Sequence, residues 1–292
     1  MNWNSRRISA MVSNALLEDQ ATHDSTTQAT IDPGQRGAAS IHVNEGCVLA
    51  GIGAVQRVYE VFSDLSNEWR GLPEVSIPKE VFDGVRLHKG EIIASIRHNA
   101  RALLSCERTI LNFLQHLSGV ATEAAKYVAA VEGTGAVILD TRKTVPGMRH
   151  LQKYAVRCGG GANHRIDLAD EILVKNNHID LAGGMKPAVE RALANRKGEQ
   201  AVEVEVRDLK ELEEALKYGA DSVLLDNMNI EETRKAVALV RNEGRPMKIE
   251  SSGGITLENV RQYAEAGVDY ISVGALTHSV RAVDLSMRVH PV

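Results

Sequence analysis

Cysteine is scarce in this chain, and the three present, Cys47, Cys106 and Cys158, are odd in number and far apart. That excludes a disulfide framework and a CxxC metal site, and it points to a reducing compartment, read here as the cytoplasm. Aromatic residues make up only 4%, too few for base stacking to be a main means of recognition. No apolar run approaches the roughly 18 residues of a membrane span. The N-terminal MNWNSRRISAMVSNALLEDQ has no continuous apolar stretch, so no secretory signal is predicted. Neither sign of charge dominates: a net charge of −4 argues against a nucleic-acid binder or a membrane-surface binder. What remains is an ordinary globular composition of 292 residues, 43% hydrophobic and 25% charged, enough for one or two domains with a core.

From about residue 135 the chain alternates strand and helix signals. Strand-like runs are AVILD (136–140), EILVK (171–175), AVEVEV (201–206), SVLLD (222–226), MKIES (247–251) and DYISV (269–273). Helical patterns between the later ones, LKELEEALKYG, IEETRKAVALVRNEG and LENVRQYAEAG, each end in glycine, the usual C-terminal stop. Such alternation predicts right-handed βαβ units and a parallel sheet. Spacings of 21, 24 and 24 residues from Glu205 to Asp226, Glu250 and Gly274 suit a (β/α) barrel. Before residue 130 the pattern differs. AASIHVNEGCVLAG and GEIIASIRH read as strands, and residues 101–133 as one long or broken helix with Leu104, Ile110, Leu111, Leu114 and Leu117 on a stripe. The stretch DQATHDSTTQATIDPGQRG reads as a loop.

Charge is concentrated. Between Asp140 and His178 the balance is +3, leaving −7 elsewhere. Arg149, Lys153 and Arg157, spaced i, i+4, i+8, read as a solvated helix face; the other cations sit beside strand ends or turns. Nearly every strand ends in a polar or small residue: Asp140, Lys175, Glu205, Asp226, Ser251–Ser252, Gly274. In a parallel barrel those ends converge on one mouth, where catalytic groups sit.

Arg142 and Lys143 follow a strand end and repel each other unless an anion, or an acid such as Asp140 or Glu205, lies between them. CGGGANHR sets three glycines before His164 and Arg165, which reads as an anion-binding loop. Glu205 and Asp226, one βα unit apart, fall on neighbouring strands and together suit Mg²⁺ or a developing cation. Ser252, Gly253, Gly254, Gly274 and His278 are predicted to line a phosphate site fed by a helix N-terminus. The ligand expected is phosphorylated, metal-associated and multiply anionic.

ERTILNFLQHLSGVAT (107–122), DTRKTVPGMRHLQKYAVRCGGGANHR (140–165), ILVKNNHI (172–179), VEVEV (202–206), LLDNM (224–228) and SSGGI (251–255) closely resemble the quinolinate phosphoribosyltransferases, the type II phosphoribosyltransferase family. The resemblance implies an α/β fold: an N-terminal α/β sandwich (1–117), an incomplete seven-stranded α/β barrel (118–279), and a C-terminal segment (280–292) returning to the first domain. It implies transfer from 5-phosphoribosyl-1-pyrophosphate to quinolinate, releasing pyrophosphate and CO₂, with Mg²⁺ held by Glu205 and Asp226 and no organic cofactor. It implies a homodimer with shared sites, with a hexamer as the alternative assembly.

By the same resemblance, Arg142, Arg165 and Lys175 are the quinolinate and pyrophosphate cations, with Thr141, Lys143 and His164 beside them. Lys143, Lys175, Glu205 and Asp226 are the catalytic set. Arg108 is the arginine supplied by the neighbouring subunit, and Ser252, Gly253, Gly254, Gly274 and His278 cradle the 5′-phosphate. Two departures stand out: Lys175-Asn176-Asn177-His178 where relatives commonly have KDNH, and DQATHDSTT in place of EDxxxGDxT. Two other readings compete, a Schiff-base barrel lyase with Lys175 as nucleophile and a non-catalytic or altered-ligand relative.

Overall fold

The computed structural model describes residues 1–66, 71–244 and 246–292. They form two compact units, one of residues 1–123, 157–159 and 280–292, the other of 124–156 and 160–279.

The first unit opens with α1 (Arg6–Glu18), capped by the Ser5 hydroxyl and burying Ile8, Val12 and Leu16 at helical spacing. The stretch 19–37, expected to be a loop, contains a short helix, α2 (Ser25–Thr30). Asp24 caps it, accepting the Thr27 N–H at 3.0 Å and the Thr27 hydroxyl. Its Ser/Thr-rich sequence has low helix propensity, so the cap rather than the composition marks it. There follow β1 (Arg36–Val43), β2 (Cys47–Val48), α3 (Gly53–Leu65), β3 (Glu74–Ser76), β4 (Arg86–Leu87) and β5 (Ile92–Asn99). The chain's final strand, Leu285–Pro291, pairs antiparallel with β1, giving a four-stranded antiparallel sheet in the order final strand–β1–β5–β3. One unbroken helix, α4 (Ala100–Ala130), comes next, and the division between units falls within it. Leu103, Ile110, Leu111, Leu114 and Leu117 are buried, while Leu104 is only half-buried, so the apolar stripe starts one residue earlier than expected.

In the second unit β6 (Val137–Leu139), α5 (Arg149–Cys158), β7 (Ile172–Val174), α6 (Asn176–Ala182), α7 (Met185–Asn195), β8 (Val202–Val206), α8 (Leu209–Lys217), β9 (Ser222–Asp226), α9 (Ile230–Asn242), β10 (Lys248–Ser252), α10 (Val260–Glu265), β11 (Tyr270–Ser272) and α11 (Ala275–His278) alternate as the sequence predicts. Six strands pair in parallel in the order β6–β11–β10–β9–β8–β7. A seventh position is reduced to one residue, Ala162, which bridges in parallel to Leu139 on the free edge of β6. The sheet is therefore an incomplete barrel of six strands and one bridge among the described residues.

The two-residue period of β8 sets its inside and outside. Val202, Val204 and Val206 are fully buried, and Glu203 and Glu205 occupy the opposite face. Outward valines pack under the helices and inward glutamates line the barrel.

Candidate active site

The C-terminal strand ends converge as the sequence predicts. A cavity of about 310 Å³ is lined by Thr141, Arg142 and Lys143 after β6, His164 and Arg165 after the Ala162 bridge, Lys175 after β7, Glu205 of β8, Asp226 of β9, Ser252 of β10 and Ser272 of β11. One layer deeper are Leu173, Leu224 and Glu250, each two residues before a mouth residue on its own strand.

Two guanidiniums crowd each other at one side, although the carboxylates of Glu203, Glu171 and Asp170 act on Arg165. Arg142 Nε is buried with no hydrogen-bond partner. Burial, and then the Arg142 charge, hold the neighbouring Arg165 guanidinium below its usual range. Arg165 is itself buried, with Nη1 donating to the Glu171 carbonyl at 3.0 Å. Two crowded guanidiniums with an unused buried donor call for an anion with planar oxygens. The local acids weighed as an alternative are engaged elsewhere: Asp140 with Lys153, Glu205 with Lys175.

The Lys175–Glu205 ion pair crosses from β7 to β8 at the mouth. A Schiff-base nucleophile needs a free amine in an apolar pocket, whereas this ammonium is half-exposed and paired with a carboxylate. Glu205 and Asp226 line the same wall. Their oxygens suit Mg²⁺, and two carboxylates leave most of its octahedron to water and ligand phosphate. Asp226 is braced by Asn227, whose Nδ2 donates to Asp226 Oδ1 at 3.0 Å and whose N–H donates to the Ser252 carbonyl at 2.8 Å. Asn227 has a φ of 55°, in the left-handed region that asparagine tolerates better than most residues.

Behind the mouth, several residues differ from expectation. Asp140 does not line the cavity; it is fully buried and accepts from Lys153, from Asn163 and from the His164 N–H at 3.0 Å. Lys153, expected on a solvated face with Arg149 and Arg157, is buried and also donates to the His164 carbonyl at 2.8 Å. Burial pushes the Asp140 carboxyl up and the Lys153 ammonium down against their mutual attraction.

The end of the three-glycine loop turns its N–H groups to the chain rather than to a ligand. The N–H groups of Gly161 and Ala162 donate to Val156 and Ile138. Gly160 has a φ of 87°, and a Cβ at Gly161 would lie 2.9 Å from Val156. The loop's role is a tight return that delivers His164 and Arg165.

Gly253 and Gly254 turn sharply after β10 with φ of 91° and 62°. A helix does not begin there directly: α10 starts at Val260. Gly274 is bracketed by His278 Nε2 and Lys143 Cδ, at 3.0 and 3.3 Å from where a Cβ would stand. Gly253, Gly254, Gly274 and His278 thus adjoin the cavity's lining rather than forming it. Arg108 stands exposed on α4, in the first unit.

Glu250 and Ser272 carried no signal as site residues beyond the two-residue period leading back from Ser252 and Gly274. With Glu203 and His164 they form the barrel floor. Glu203 Oε2 is 3.4 Å and Glu250 Oε2 is 3.5 Å from His164 Nε2. Burial and the Glu203 charge push the Glu250 carboxyl up to about 7. Burial opposes a charge on His164, but Glu203 and Glu250 outweigh it and raise the imidazole. The Arg165 N–H, aimed at His164 Nδ1 from 2.7 Å, works the other way, since the ring takes a second proton only by giving up that bond.

An incomplete parallel barrel whose strand ends gather arginines, lysines and paired acids defines an enzyme-like site for a multiply anionic ligand. Residues 24–118 match the family model for the quinolinate phosphoribosyl transferase N-terminal domain, and residues 120–288 that for the C-terminal domain. The chain belongs to the quinolinate phosphoribosyltransferase family. It is 43% identical over 265 residues to a nicotinate-nucleotide pyrophosphorylase (carboxylating) of Mycobacterium leprae, covering 90% of each chain. It is 39% identical to a probable nicotinate-nucleotide pyrophosphorylase (carboxylating) of Bacillus subtilis, covering 98% of this chain and 94% of the relative. The crystal structure of NadC from Streptococcus pyogenes superposes with a TM-score of 0.89 at 38% identity, covering 98% and 97% of the two chains.

Proposed function

We propose that this chain transfers the phosphoribosyl group of 5-phosphoribosyl-1-pyrophosphate to quinolinate and releases pyrophosphate and CO₂, forming nicotinate mononucleotide in NAD biosynthesis. The observation that carries this reading is the pairing of Arg142 and Arg165, with a buried unpartnered donor, opposite Glu205 and Asp226 in one cavity. A pyridine with two adjacent carboxylates supplies the planar anions the arginines lack, and its nitrogen is then directed at the acids' side.

The ring nitrogen attacks ribose C1 while the bond from C1 to the pyrophosphate oxygen breaks. Positive charge develops at C1, where Glu205 and Asp226 stabilise it without reorganising. Lys143 and Lys175 attract the departing pyrophosphate. Glu205 and Asp226 would hold Mg²⁺, which would supply positive charge to neutralise the departing pyrophosphate. The alkylated nitrogen is cationic, so CO₂ departs from the adjacent carbon leaving its electron pair stabilised there, and a proton takes its place. Most of the work is positioning rather than acid–base catalysis. Ser252, Gly253, Gly254, Gly274 and His278 take the 5′-phosphate.

The assembly proposed is a homodimer in which Arg108, exposed on α4, completes the site of the neighbouring subunit. The proposed location is the cytoplasm. No helix among the described residues is long and apolar enough to cross a membrane.

The test is the release of labelled CO₂ and nicotinate mononucleotide from carboxyl-labelled quinolinate and phosphoribosyl pyrophosphate, with and without Mg²⁺. Both products are expected in equal amounts and only with the metal. Binding of phosphoribosyl pyrophosphate with no consumption of quinolinate would favour the altered-ligand relative instead.

A further inference from the structure

His164, Glu203 and Glu250 meet at the barrel floor. His164 and Glu250 line both the catalytic cavity and a second hollow of about 390 Å³, which also includes Ser222, Lys248 and Tyr270 from earlier positions on the strands. The three side chains offer ligand atoms within 4.8 Å of one another, a spacing that suits a metal ion. The ring nitrogens decide against one. The Arg165 N–H donates to His164 Nδ1, so Nδ1 is an acceptor and a neutral ring carries its proton on Nε2. A metal on Nε2 needs the proton on Nδ1, donated to an oxygen; here Nδ1 faces a donor.

Nε2 faces two carboxylates instead, Glu203 from β8 and Glu250 from β10. Glu250 is 2% exposed, its Oε1 has no hydrogen-bond partner, and the phosphoribosyl chemistry makes no use of it. Burying a carboxylate so incompletely paired is costly, and what it faces is the N–H of a ring that holds the backbone of Arg165.

We propose that Glu203 and Glu250 fix His164 as its Nε2–H tautomer, and that this tautomer anchors the Arg165 backbone, making Glu250 a positioning residue for the guanidinium that receives the acid ring. The arrangement is continuous. The His164 N–H is held by Asp140 at 3.0 Å, its Nδ1 holds the Arg165 N–H at 2.7 Å, and the Arg165 guanidinium is held by the Glu171 carbonyl at 3.0 Å. The other tautomer would set an Nδ1–H against the Arg165 N–H and leave both carboxylates without the donor. The ring would turn, and Arg165 with it. The role given to Arg165 rests on the function proposed above; the tautomer does not.

The experiment has two arms. Nitrogen-15 NMR of histidine-labelled protein without substrate reads the tautomer, with the His164 signals assigned by their loss in His164→Asn. The Nε2–H form is expected in the wild type. Kinetics of Glu250→Leu and Glu250→Gln form the second arm. Leucine removes one of the two acceptors, leaving Glu203 alone at 3.4 Å, and is expected to raise KM for quinolinate severalfold while leaving KM for phosphoribosyl pyrophosphate within twofold. Glutamine keeps an acceptor and is expected to stay within threefold on both. An Nδ1–H His164 in the wild type overturns the inference, as does a Glu250→Leu enzyme whose two KM values rise together or do not change. A wild type that shows the Nε2–H tautomer but never turns over quinolinate overturns the proposed function, and with it the role given to Arg165.

Discussion

Asp140 and Lys153 form an ion pair that is almost wholly sealed from water, thirteen residues apart in sequence and directly behind the catalytic mouth. The pair also holds both ends of the His164 peptide unit, through Asp140 to its N–H and Lys153 to its carbonyl. Removing one partner leaves the other charge stranded. Lys153→Ala is therefore expected to cost about 3–5 kcal/mol in urea unfolding, and Asp140→Ala/Lys153→Ala less than the sum of the single changes. Additive losses would show that the two side chains are energetically independent.

Under the proposed function, Arg142 and Arg165 act on the substrate rather than on the fold. Arg142→Ala and Arg165→Ala are each expected to lose about 2–4 kcal/mol of transition-state stabilisation, roughly 30- to 900-fold in kcat/KM. Turnover within threefold of wild type at subsaturating quinolinate would remove them from the site.

Glu250 makes stability depend on pH. Its carboxyl titrates near 7 in the folded chain against an ordinary 4.5, so the folded state retains a proton that the unfolded state gives up. Stability is then greatest below about pH 4.5, as far as this group is concerned, and falls as pH rises toward 7. Glu250→Gln mimics the protonated form and is expected to gain on the wild type by up to roughly 3 kcal/mol at pH 8, with little difference at pH 4.5. Chemical denaturation at the two pH values measures it, and an equal difference at both would contradict the assignment.

Asn227 ties the acid wall to the glycine turn. Its side-chain oxygen would lie 2.2 Å from a Cβ at Gly253, where φ is 91°. Gly253→Ala is expected to raise KM for phosphoribosyl pyrophosphate more than KM for quinolinate. At Asn227 itself alanine is expected to be about 1 kcal/mol less stable than glycine, since only glycine escapes the left-handed penalty. Both Asn227 variants free Asp226 and are expected to need more Mg²⁺ for half-maximal rate.

Arg108 and Lys175 test the proposed sharing of sites between subunits. Arg108→Ala and Lys175→Ala, each nearly inactive alone, are expected to recover up to about a quarter of wild-type activity when mixed and allowed to exchange subunits, because one of the two sites in a mixed dimer is intact. Absence of any recovery argues that each subunit supplies its own cation.

Much of the second unit was legible because strand and helix periods differ and each later helix ends in a glycine. AVEVEV, SVLLD and MKIES place Glu205, Asp226 and Ser252 at one end of a parallel sheet with no tertiary information. What stayed hidden depended on partners distant in the chain. Lys153 repeats with Arg149 and Arg157 like a wet helix face, and only the buried Asp140 draws it inward. Glu250 looked like one charge inside a strand, and its meaning comes from Glu203 and His164 closing around it. The glycines of CGGGANHR were visible, but whether their N–H groups face a ligand or the chain is set by Ile138 and Val156.

The alternation in β8 has one more consequence. Shifting that strand by a single residue would turn two glutamates into the greasy layer under the helices and three valines into the polar hollow. The misthreaded chain would be unstable before it was inactive, so the same pattern that arms the enzyme also proofreads its assembly.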